Sequence, residues 1–278
     1  MHGPSAPTPG VGDGGARRLI GIDAGKVTTS LAWGRTGDDG SLIVEGSSAA
    51  RHLGEPLAPF FALYRSLGPA RVAGVVAAGA FGDRLTTPAL AGIPEEIAQE
   101  WAARALYGHE GTLNVVRIGG SGYSVLTRDA AGRIDYERNE RCSAGTGETV
   151  EGLCARLGCG LDEAVALAAA ADRGITVTSR CAVFAKSELT HFANQGEDHG
   201  RLLLGLFESV ARNVHALYDR AKVDGPVVLI GHGALIGPLV AAFRELVPGS
   251  VEVSPRAGVF EALGALQVAA SHDWAGVE

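Results

Sequence analysis

One order of elements is predicted twice along the chain, and this internal repeat is the feature that most constrains the fold. Short apolar runs ending in turn residues predict strands, and longer runs of helical period predict helices. The first copy comprises strands at 18–23, 30–35, 41–47 and 71–79 and helices at 55–68 and 94–108. The sequence therefore predicts a β-β-β-α-β-α unit in this part of the chain.

The second copy begins at residue 113 and carries additional helices before its fourth strand. It comprises strands at 113–120, 123–129, 133–139, 226–233 and 251–254 and helices at 147–158, 161–172, 182–194, 198–221, 237–248 and 259–270. Two such copies predict two α/β domains with mixed sheets that face each other across a cleft.

Composition narrows the function classes. The 278 residues include 24 Lys and Arg against 31 Asp and Glu, a net charge of -7, whereas a nonspecific nucleic-acid coat needs a basic face. We find no uninterrupted apolar stretch long enough to span a bilayer and no apolar core of a secretory signal near the start. We therefore expect a cytoplasmic protein with neither a nucleic-acid nor a membrane partner, and the four cysteines do not suggest a disulfide framework.

The segment GIDAGKVTTS (21–30) is the first candidate for a phosphate-binding turn. A strand containing Gly21 ends in Asp23, and the chain then turns through Gly25 and Lys26 towards Thr28. Glycine lets backbone amides approach phosphate oxygens, and an aspartate holds hydrated Mg²⁺. The spacing of a Walker loop is missing, and an ordinary hairpin turn is the alternative.

Two more glycine-rich turns follow strands in the second copy. RIGGSGYS (117–124) places Gly119, Gly120 and Ser121 at the point equivalent to the first turn. The run GHGA, with Gly231, Gly233 and Ala234, follows a buried strand and offers its backbone to an adenine or ribose. Each motif alone is also compatible with a plain turn, but glycine-rich turns at equivalent positions of both copies favour a nucleotide.

Two cysteines precede predicted helices. Cys142 comes before Gly145, Thr146 and Gly147, and Cys181 comes directly before the helix at 182–194. Free amides at a helix start favour anions and thiolates, as at an iron–sulfur cluster. A 4Fe–4S cluster needs four thiolates, so two per chain imply a two-fold dimer that shares one cluster. Zinc suits the same count, and buried small residues at helix starts are the plain alternative.

The other two cysteines fit a metal site less well. Cys154 lies in an apolar helical stripe with Val150, Leu153 and Leu157, which predicts a core position. Cys159 follows a helix-ending glycine and has no evident partner.

Taken together, the blocks GIDAGKVTT, AAGAFGDR, RIGGSG, NERCSAGTGETVE, SRCAVFAKSEL and GHGA resemble the BadF/BadG/BcrA/BcrD ATPase family over about residues 18–273. That family includes activators of 2-hydroxyacyl-CoA dehydratases and ATPase subunits of benzoyl-CoA reductase. The resemblance implies the fold of the acetate and sugar kinase, Hsc70 and actin superfamily, with two ribonuclease H-like domains and ATP in the cleft. It implies a first domain of residues 18–110 plus the helix at 258–273, and a second domain of residues 111–257. Residues 1–17 are rich in Gly, Pro and Ser, which predicts a disordered tail.

The resemblance also implies the cofactors and partners. In such activators a homodimer shares one 4Fe–4S cluster, and the matching ligands here are Cys142 and Cys181. Asp23 matches the catalytic aspartate that holds Mg²⁺ through water, beside ATP or ADP. The implied role is ATP-driven transfer of an electron from ferredoxin or flavodoxin to a partner dehydratase or reductase, by a homodimer or a paralogous heterodimer.

This chain departs from the family pattern at its phosphate turns. Arg117 replaces the first acid of the usual D-I-G-G-Q-D, and Lys26 and Val27 interrupt the usual G-S-T-T. Because a cation attracts phosphate but does not hold Mg²⁺, we expect tight nucleotide binding with slow hydrolysis. The alternative is that Arg117 points into solvent and another acid acts. The competing functions are a nucleotide-binding subunit with little hydrolysis and a small-molecule kinase of the same fold; the cysteine pair argues against the kinase.

Overall fold

The computed structural model describes residues 17–86, 90–120, 122–139, 147–177 and 182–272. Its strands are β1 (Arg18–Ala24), β2 (Thr28–Thr36), β3 (Leu42–Arg51), β4 (Val72–Ala78), β5 (Leu90–Gly92), β6 (Leu113–Ile118), β7 (Tyr123–Arg128), β8 (Ile134–Arg138), β9 (Val227–Ile230) and β10 (Val251–Val253). Its helices are α1 (Ala58–Leu67), α2 (Glu95–Tyr107), α3 (Gly147–Arg156), α4 (Leu161–Ala170), α5 (Ala182–Asn194), α6 (His199–Ala221), α7 (Gly237–Leu246) and α8 (Phe260–Ser271).

The two copies of the repeat form two five-stranded sheets of the same topology. The first sheet has the order β3-β2-β1-β4-β5, and the second has the order β10-β9-β6-β7-β8. In each sheet the first three strands of the copy pair antiparallel, and the central strand pairs parallel with the fourth. Strands β1 and β6 therefore occupy equivalent central positions, and the predicted two-sheet α/β fold is confirmed.

Several elements differ from their predicted bounds by a few residues. The short edge strand β5 was not predicted, because three residues are too few to show a period. The strand predicted at 226–233 ends at Ile230, since Gly231 has a φ of 83° and a 3-10 turn follows it. The helix predicted from residue 55 begins at Ala58.

Each copy ends in a helix that packs on the other copy's sheet. Helix α8 packs through Ala262 and Leu266 on the first sheet, in one buried cluster with Leu19, Ala32 and Val76. Helix α2 contributes its own buried alanines to a cluster on the second sheet. The two helices also pack against each other, so they lie between the sheets. A domain boundary at residue 110 stays a prediction.

The outer faces of both sheets are covered by other helices. Helix α1 buries Phe60 and Leu67 against the first sheet. The inserted helices cover the second sheet, where the strongly amphipathic α6 buries Phe207 and Val210 in the larger core. Within the part of the chain described above, no helix has the length and apolar character needed to cross a membrane.

The contact between α2 and α8 yields a stability prediction. A Cβ atom on Gly264 would lie 1.7 Å from the carbonyl oxygen of Ala98, so this crossing requires glycine. We expect Gly264→Ala to lower the free energy of unfolding by about 1–3 kcal/mol, because backbone must move to admit the methyl group.

Gly152→Ala is the matched control. Gly152 also lies inside a helix, but nothing lies within 4 Å of a Cβ atom there. Alanine should stabilise that helix by roughly 0.5–1 kcal/mol. Denaturant unfolding of both variants measures the difference, and equal effects would contradict the close packing of α2 on α8.

Candidate functional site

A cleft that is open on the solvent side lies between the ends of β1 and β6. It is bounded by the three glycine-rich turns and by the start of α3. Of the predicted site residues, it brings together Asp23, Gly25, Lys26, Thr28, Gly119, Gly120, Gly147, Gly231 and Gly233. Five other predicted residues lie outside the described part of the chain: Ser121, Cys142, Gly145, Thr146 and Cys181.

Two residues predicted to contact a nucleotide, Gly21 and Ala234, are not among those that line the cleft. Gly21 does not line the cleft; a Cβ atom there would lie 2.1 Å from the carbonyl oxygen of Ala262, so its small size serves the packing of α8. Ala234 is 2% exposed and belongs to the core of the second sheet. Packing accounts for the small size of Gly21 and for the burial of Ala234, and their contact with a nucleotide stays a prediction.

The first phosphate turn, residues 25–28, joins β1 to β2. The N–H of Gly25 donates to the carbonyl oxygen of Thr28 over 3.1 Å and closes the turn. The backbone N–H groups of Lys26 and Val27 have no hydrogen-bond partner among the described residues. Backbone donors of this kind, at the edge of a cleft, are what an anionic group such as phosphate requires.

The second turn, residues 119–122, faces the first. A Cβ atom on Gly120 would lie 2.8 Å from a methyl carbon of Val27, so glycine allows the two turns to approach. The N–H groups of Gly147 and Glu148 donate to the carbonyl oxygens of Gly119 and Gly120 over 3.1 and 2.9 Å. These two amides at the start of α3 were predicted to be free for an anion; here the turn already uses them.

The third turn follows β9. A Cβ atom on Gly231 would lie 2.5 Å from the carbonyl oxygen of Ile118, and one on Gly233 would lie 2.3 Å from that residue's side chain. Close packing on β6 thus explains both glycines. His232, between them, also lines the cleft, and burial lowers the pKa of its imidazole.

Arg117 extends from β6 into a buried cluster of charges at the base of the cleft. Its Nε donates to Glu261 of α8 over 2.5 Å, and its Nη2 donates to Glu95 of α2 over 2.7 Å. The Arg117 side chain is 12% exposed, so the alternative that it points into solvent is wrong. The two carboxylates raise the pKa of its guanidinium above the ordinary value, and Arg117 is charged here.

Asp23 lies in the same cluster and is 7% exposed. Its Oδ1 is buried without a hydrogen-bond partner in the described structure and lies beside Gly79. Burial, together with the negative charge of Glu261, raises the pKa of the Asp23 carboxyl to about 8 although Arg117 opposes the shift. Asp23 lines the cleft, and a carboxylate with an oxygen left unpaired among the described residues suits a cation held through water, so this residue fits Mg²⁺.

The acids of this cluster were missed at the level of sequence. Glu261 is 4% exposed, and Gln99 also donates to it over 3.3 Å. The available signal was a single acid in the apolar helix VFEALGAL. Glu95 was interpreted only as a favourable charge in the first turn of its helix.

A second ion pair crosses from one half of the molecule to the other. Arg51, the last residue of β3, pairs with Glu151 of α3, and Glu151 lines the cleft. The side chain of Arg51 is 55% exposed, so this pair lies at the surface whereas the Arg117 pairs are buried.

The described cysteines do not suit a metal centre. Cys154 is fully buried in the core as predicted, and burial raises the pKa of its thiol to about 12. Burial also raises the pKa of Cys159, whose Sγ donates to the carbonyl oxygen of Cys154. Within the described residues, no group of three or more His, Cys, Asp or Glu side chains is arranged to hold a metal ion.

The arrangement matches one family of proteins. The model of the BadF/BadG/BcrA/BcrD ATPase family matches residues 69–269, which is most of the chain. The chain belongs to this family. The resemblance carried by the cleft motifs is thereby confirmed.

Curated relatives include a dehydratase activator and part of a reductase. The (R)-2-hydroxyglutaryl-CoA dehydratase activating ATPase of Acidaminococcus fermentans is 28% identical over 151 residues, which cover 54% of this chain and 58% of that protein. A benzoyl-CoA reductase subunit of Thauera aromatica is 27% identical over 148 residues, which cover 52% of this chain and 52% of that protein. The chain thus matches only between half and three-fifths of the length of these relatives.

Solved structures agree over a longer range. The activator of the 2-hydroxyisocaproyl-CoA dehydratase from Clostridium difficile with bound ADPNP superposes with a TM-score of 0.81 at 22% identity, covering 91% of this chain and 94% of that one. Component A of the Acidaminococcus fermentans (R)-2-hydroxyglutaryl-CoA dehydratase gives 0.79 at 23% identity, with coverages of 92% and 98%. At these identities the agreement shows the fold that the family shares.

The raised pKa of Asp23 predicts a dependence of stability on pH. The folded state binds this proton more tightly than the unfolded state, whose carboxyl has a pKa near 3.8. The stabilisation is therefore complete below pH 4 and is lost as the pH rises through 8, by up to about 1.4 kcal/mol per unit. Asp23→Asn stays neutral, so its melting temperature should exceed that of the wild type increasingly from pH 5 to 8 without nucleotide or metal.

Asp39→Asn is the control for this measurement. Asp39 is exposed, and its hydrogen bonds with Ser41 lower its pKa, so the control should gain nothing at alkaline pH. A constant difference between Asp23→Asn and the wild type across the pH range would contradict the burial of a protonated Asp23.

Proposed function

We propose that this chain is an ATP-dependent iron–sulfur electron-transfer activator of a 2-hydroxyacyl-CoA dehydratase or of a benzoyl-CoA reductase-type enzyme. The observation that carries the proposal is the pair of glycine turns that line one cleft together with Asp23, whose Oδ1 is unpaired among the described residues. Family membership and the activator-like fold support the same role. The proposed setting is a cytoplasmic dimer, homomeric or paralogous, that takes an electron from ferredoxin or flavodoxin.

The nucleotide is proposed to bind with its phosphates between the first and second turns. The N–H groups of Lys26 and Val27, which have no partner among the residues that the structure describes, supply donors on one side, and the exposed Lys26 side chain adds a cation at the same edge. Asp23 would hold Mg²⁺ through water. The adenosine is proposed to lie beside Gly231 and Gly233, because these residues line the part of the cleft that follows β9.

The cluster is proposed to use Cys142 and Cys181 of two chains. The positions of the described cysteines support this, because Cys154 and Cys159 are both buried in the core on the second sheet, away from a surface that a second chain could share. When bound, a 4Fe–4S cluster accepts and passes on one electron at low potential. Helices α3 and α5, which begin at Gly147 and Ala182, are joined by a bond of 2.7 Å from Arg156 to Thr190.

Nucleotide binding is proposed to act through the same helix. The N–H groups of Gly147 and Glu148 attach the start of α3 to the second turn. Glu151, one turn further along, attaches it to Arg51 of the first half. A change in the separation of the two phosphate turns must therefore displace α3, which follows the Cys142 segment in the chain.

One observation favours a variant of this function with little hydrolysis. Arg117 stands where an acid is usual, and Glu95 and Glu261 hold it at the base of the cleft. It offers no oxygen to Mg²⁺ or to an attacking water. The proposed change of conformation would then depend more on the exchange of bound nucleotide than on its hydrolysis.

The cluster assignment predicts distinct effects of cysteine substitutions. After anaerobic purification we expect four iron and four sulfide ions per two chains, with a broad absorption near the blue end of the visible spectrum. Cys142→Ser and Cys181→Ser should each abolish the colour and weaken the dimer. Cys159→Ser is the control and should retain both; loss of the cluster in that variant alone would contradict the assignment.

The Arg117 cluster predicts how hydrolysis can be restored. Arg117→Asp alone would put a fourth carboxylate among Asp23, Glu95 and Glu261, so it is combined with Glu261→Gln. We expect the double variant to hydrolyse Mg·ATP faster than the wild type, because a second carboxylate then faces the phosphates. Glu261→Gln alone is the control, and equal rates of the control and the double variant would show that Arg117 does not limit hydrolysis.

A further inference from the structure

The segment after β3 packs directly on the first phosphate turn. Arg51 is paired with Thr28 at the end of the β2–β3 ladder. The backbone N–H of His52 then donates to the carbonyl oxygen of Val27 over 3.3 Å. The Oγ1 of Thr29 donates to the carbonyl oxygen of Pro56 over 2.5 Å. The strand pairing and these two hydrogen bonds thus attach the segment to the first turn and to the start of β2.

The imidazole of His52 adds a fourth link, and its bonds define its tautomer. The N–H of Gly54 lies 3.1 Å from Nδ1, and because an N–H only donates, Nδ1 must accept. The proton of the neutral ring is therefore on Nε2, which lies 3.1 Å from the carbonyl oxygen of Gly25 and donates to it. The ring packs edge-on against Phe81 at a centroid distance of 6.1 Å, which limits its rotation.

These bonds orient two peptide groups of the turn. The carbonyl of Gly25 and the N–H of Lys26 belong to one planar trans peptide group, so they point in opposite directions. When His52 holds that carbonyl, the N–H of Lys26 points away from the imidazole. The backbone N–H of His52 holds the carbonyl of Val27 and thereby orients the peptide group between Val27 and Thr28 in the same way.

The side away from His52 is the cleft. Gly25, Lys26, Val27 and Thr28 all line it, whereas His52 is not among its lining residues. The N–H of Lys26 has no hydrogen-bond partner in the described structure. The hydrogen bond to the Gly25 carbonyl therefore comes from a side chain outside the cleft, and it sets the direction of the Lys26 N–H, which has no partner among the described residues.

We propose that His52 is a positioning residue for phosphate binding. It accepts a hydrogen bond from the N–H of Gly54 and donates one to the carbonyl of Gly25, and it thereby directs the Lys26 N–H into the cleft. This inference rests on the proposed binding of an adenine nucleotide. Without the Nε2 bond, the peptide group of Gly25 and Lys26 is free to rotate, as a glycine permits. The donor is then lost to the phosphate even though no residue in contact with the nucleotide has changed.

The test uses two substitutions that each keep half of the imidazole. His52→Gln places an amide N–H₂ where Nε2 stood and keeps the bond to Gly25. His52→Asn keeps an acceptor near Nδ1 for Gly54 but is too short to reach Gly25. We expect His52→Asn to weaken ADP binding by about five- to tenfold in calorimetry, as for the loss of one hydrogen bond. His52→Gln should stay within about twofold of the wild type.

Adenosine, which lacks phosphates, is the ligand control and should compete for the cleft equally well in all three proteins. Equal losses in both variants, or an unchanged His52→Asn, would overturn the positioning role while leaving nucleotide binding intact. A wild type that binds neither ADP nor ATP would overturn the proposed function itself.

Amide hydrogen exchange provides a measurement that needs no variant. Saturating ADP should protect the Lys26 amide in the wild type, since the proposal makes that N–H a donor to phosphate. Unchanged exchange at Lys26 under saturating ADP would refute the proposal even if His52→Asn failed to fold.

Discussion

The buried contact of Arg117 with Glu95 and Glu261 is the interaction on which the site depends. It joins β6 of the second sheet to α8, which packs on the first sheet, and to α2, which lies between the two. Removing one partner of such a buried pair typically costs about 3–5 kcal/mol because a charge is left unpaired. The same three side chains therefore hold the halves together and form the base of the cleft.

This contact also sets the charge of the cleft. The guanidinium was expected to attract phosphate, but two carboxylates already surround its charge, and Asp23 adds a third acid. The base of the cleft is thus acidic rather than basic. Free polyphosphate would be repelled there, so the cation that accompanies a nucleotide matters more than Arg117 does for attraction. Burial is the main cause of the raised pKa of Asp23, and the negative charge of Glu261 adds to it.

Local patterns predicted the elements and the turns well, and the failures arise where distant segments meet. Runs of a few residues were enough to predict that a strand ends near Asp23 and that glycine turns follow the strands. The cleft could therefore be located from the sequence. The pairing of Glu261 with Arg117 joins residues 144 positions apart and depends on where α8 packs. Gly21 shows the same limit, because it must be small to let α8 pack against it, and α8 lies more than 200 residues later in the chain. The N–H groups at the start of α3 were misread for a related reason, since only the fold brings the second turn against them.

The two halves of the molecule are joined by buried and by exposed ion pairs, and the exposed pair is the weaker link. Gly264 lets α8 approach the backbone of α2 closely, and a methyl group would not fit between them, so these helices cannot slide freely. The Arg117 pairs lie beside this contact and tie β6 to both of these helices. The pair of Arg51 and Glu151 is exposed to solvent, and such pairs contribute only about 0–1 kcal/mol. A separation of the phosphate turns would therefore break the weak surface pair first, and the start of α3 would follow the second turn because its first N–H groups are bonded there.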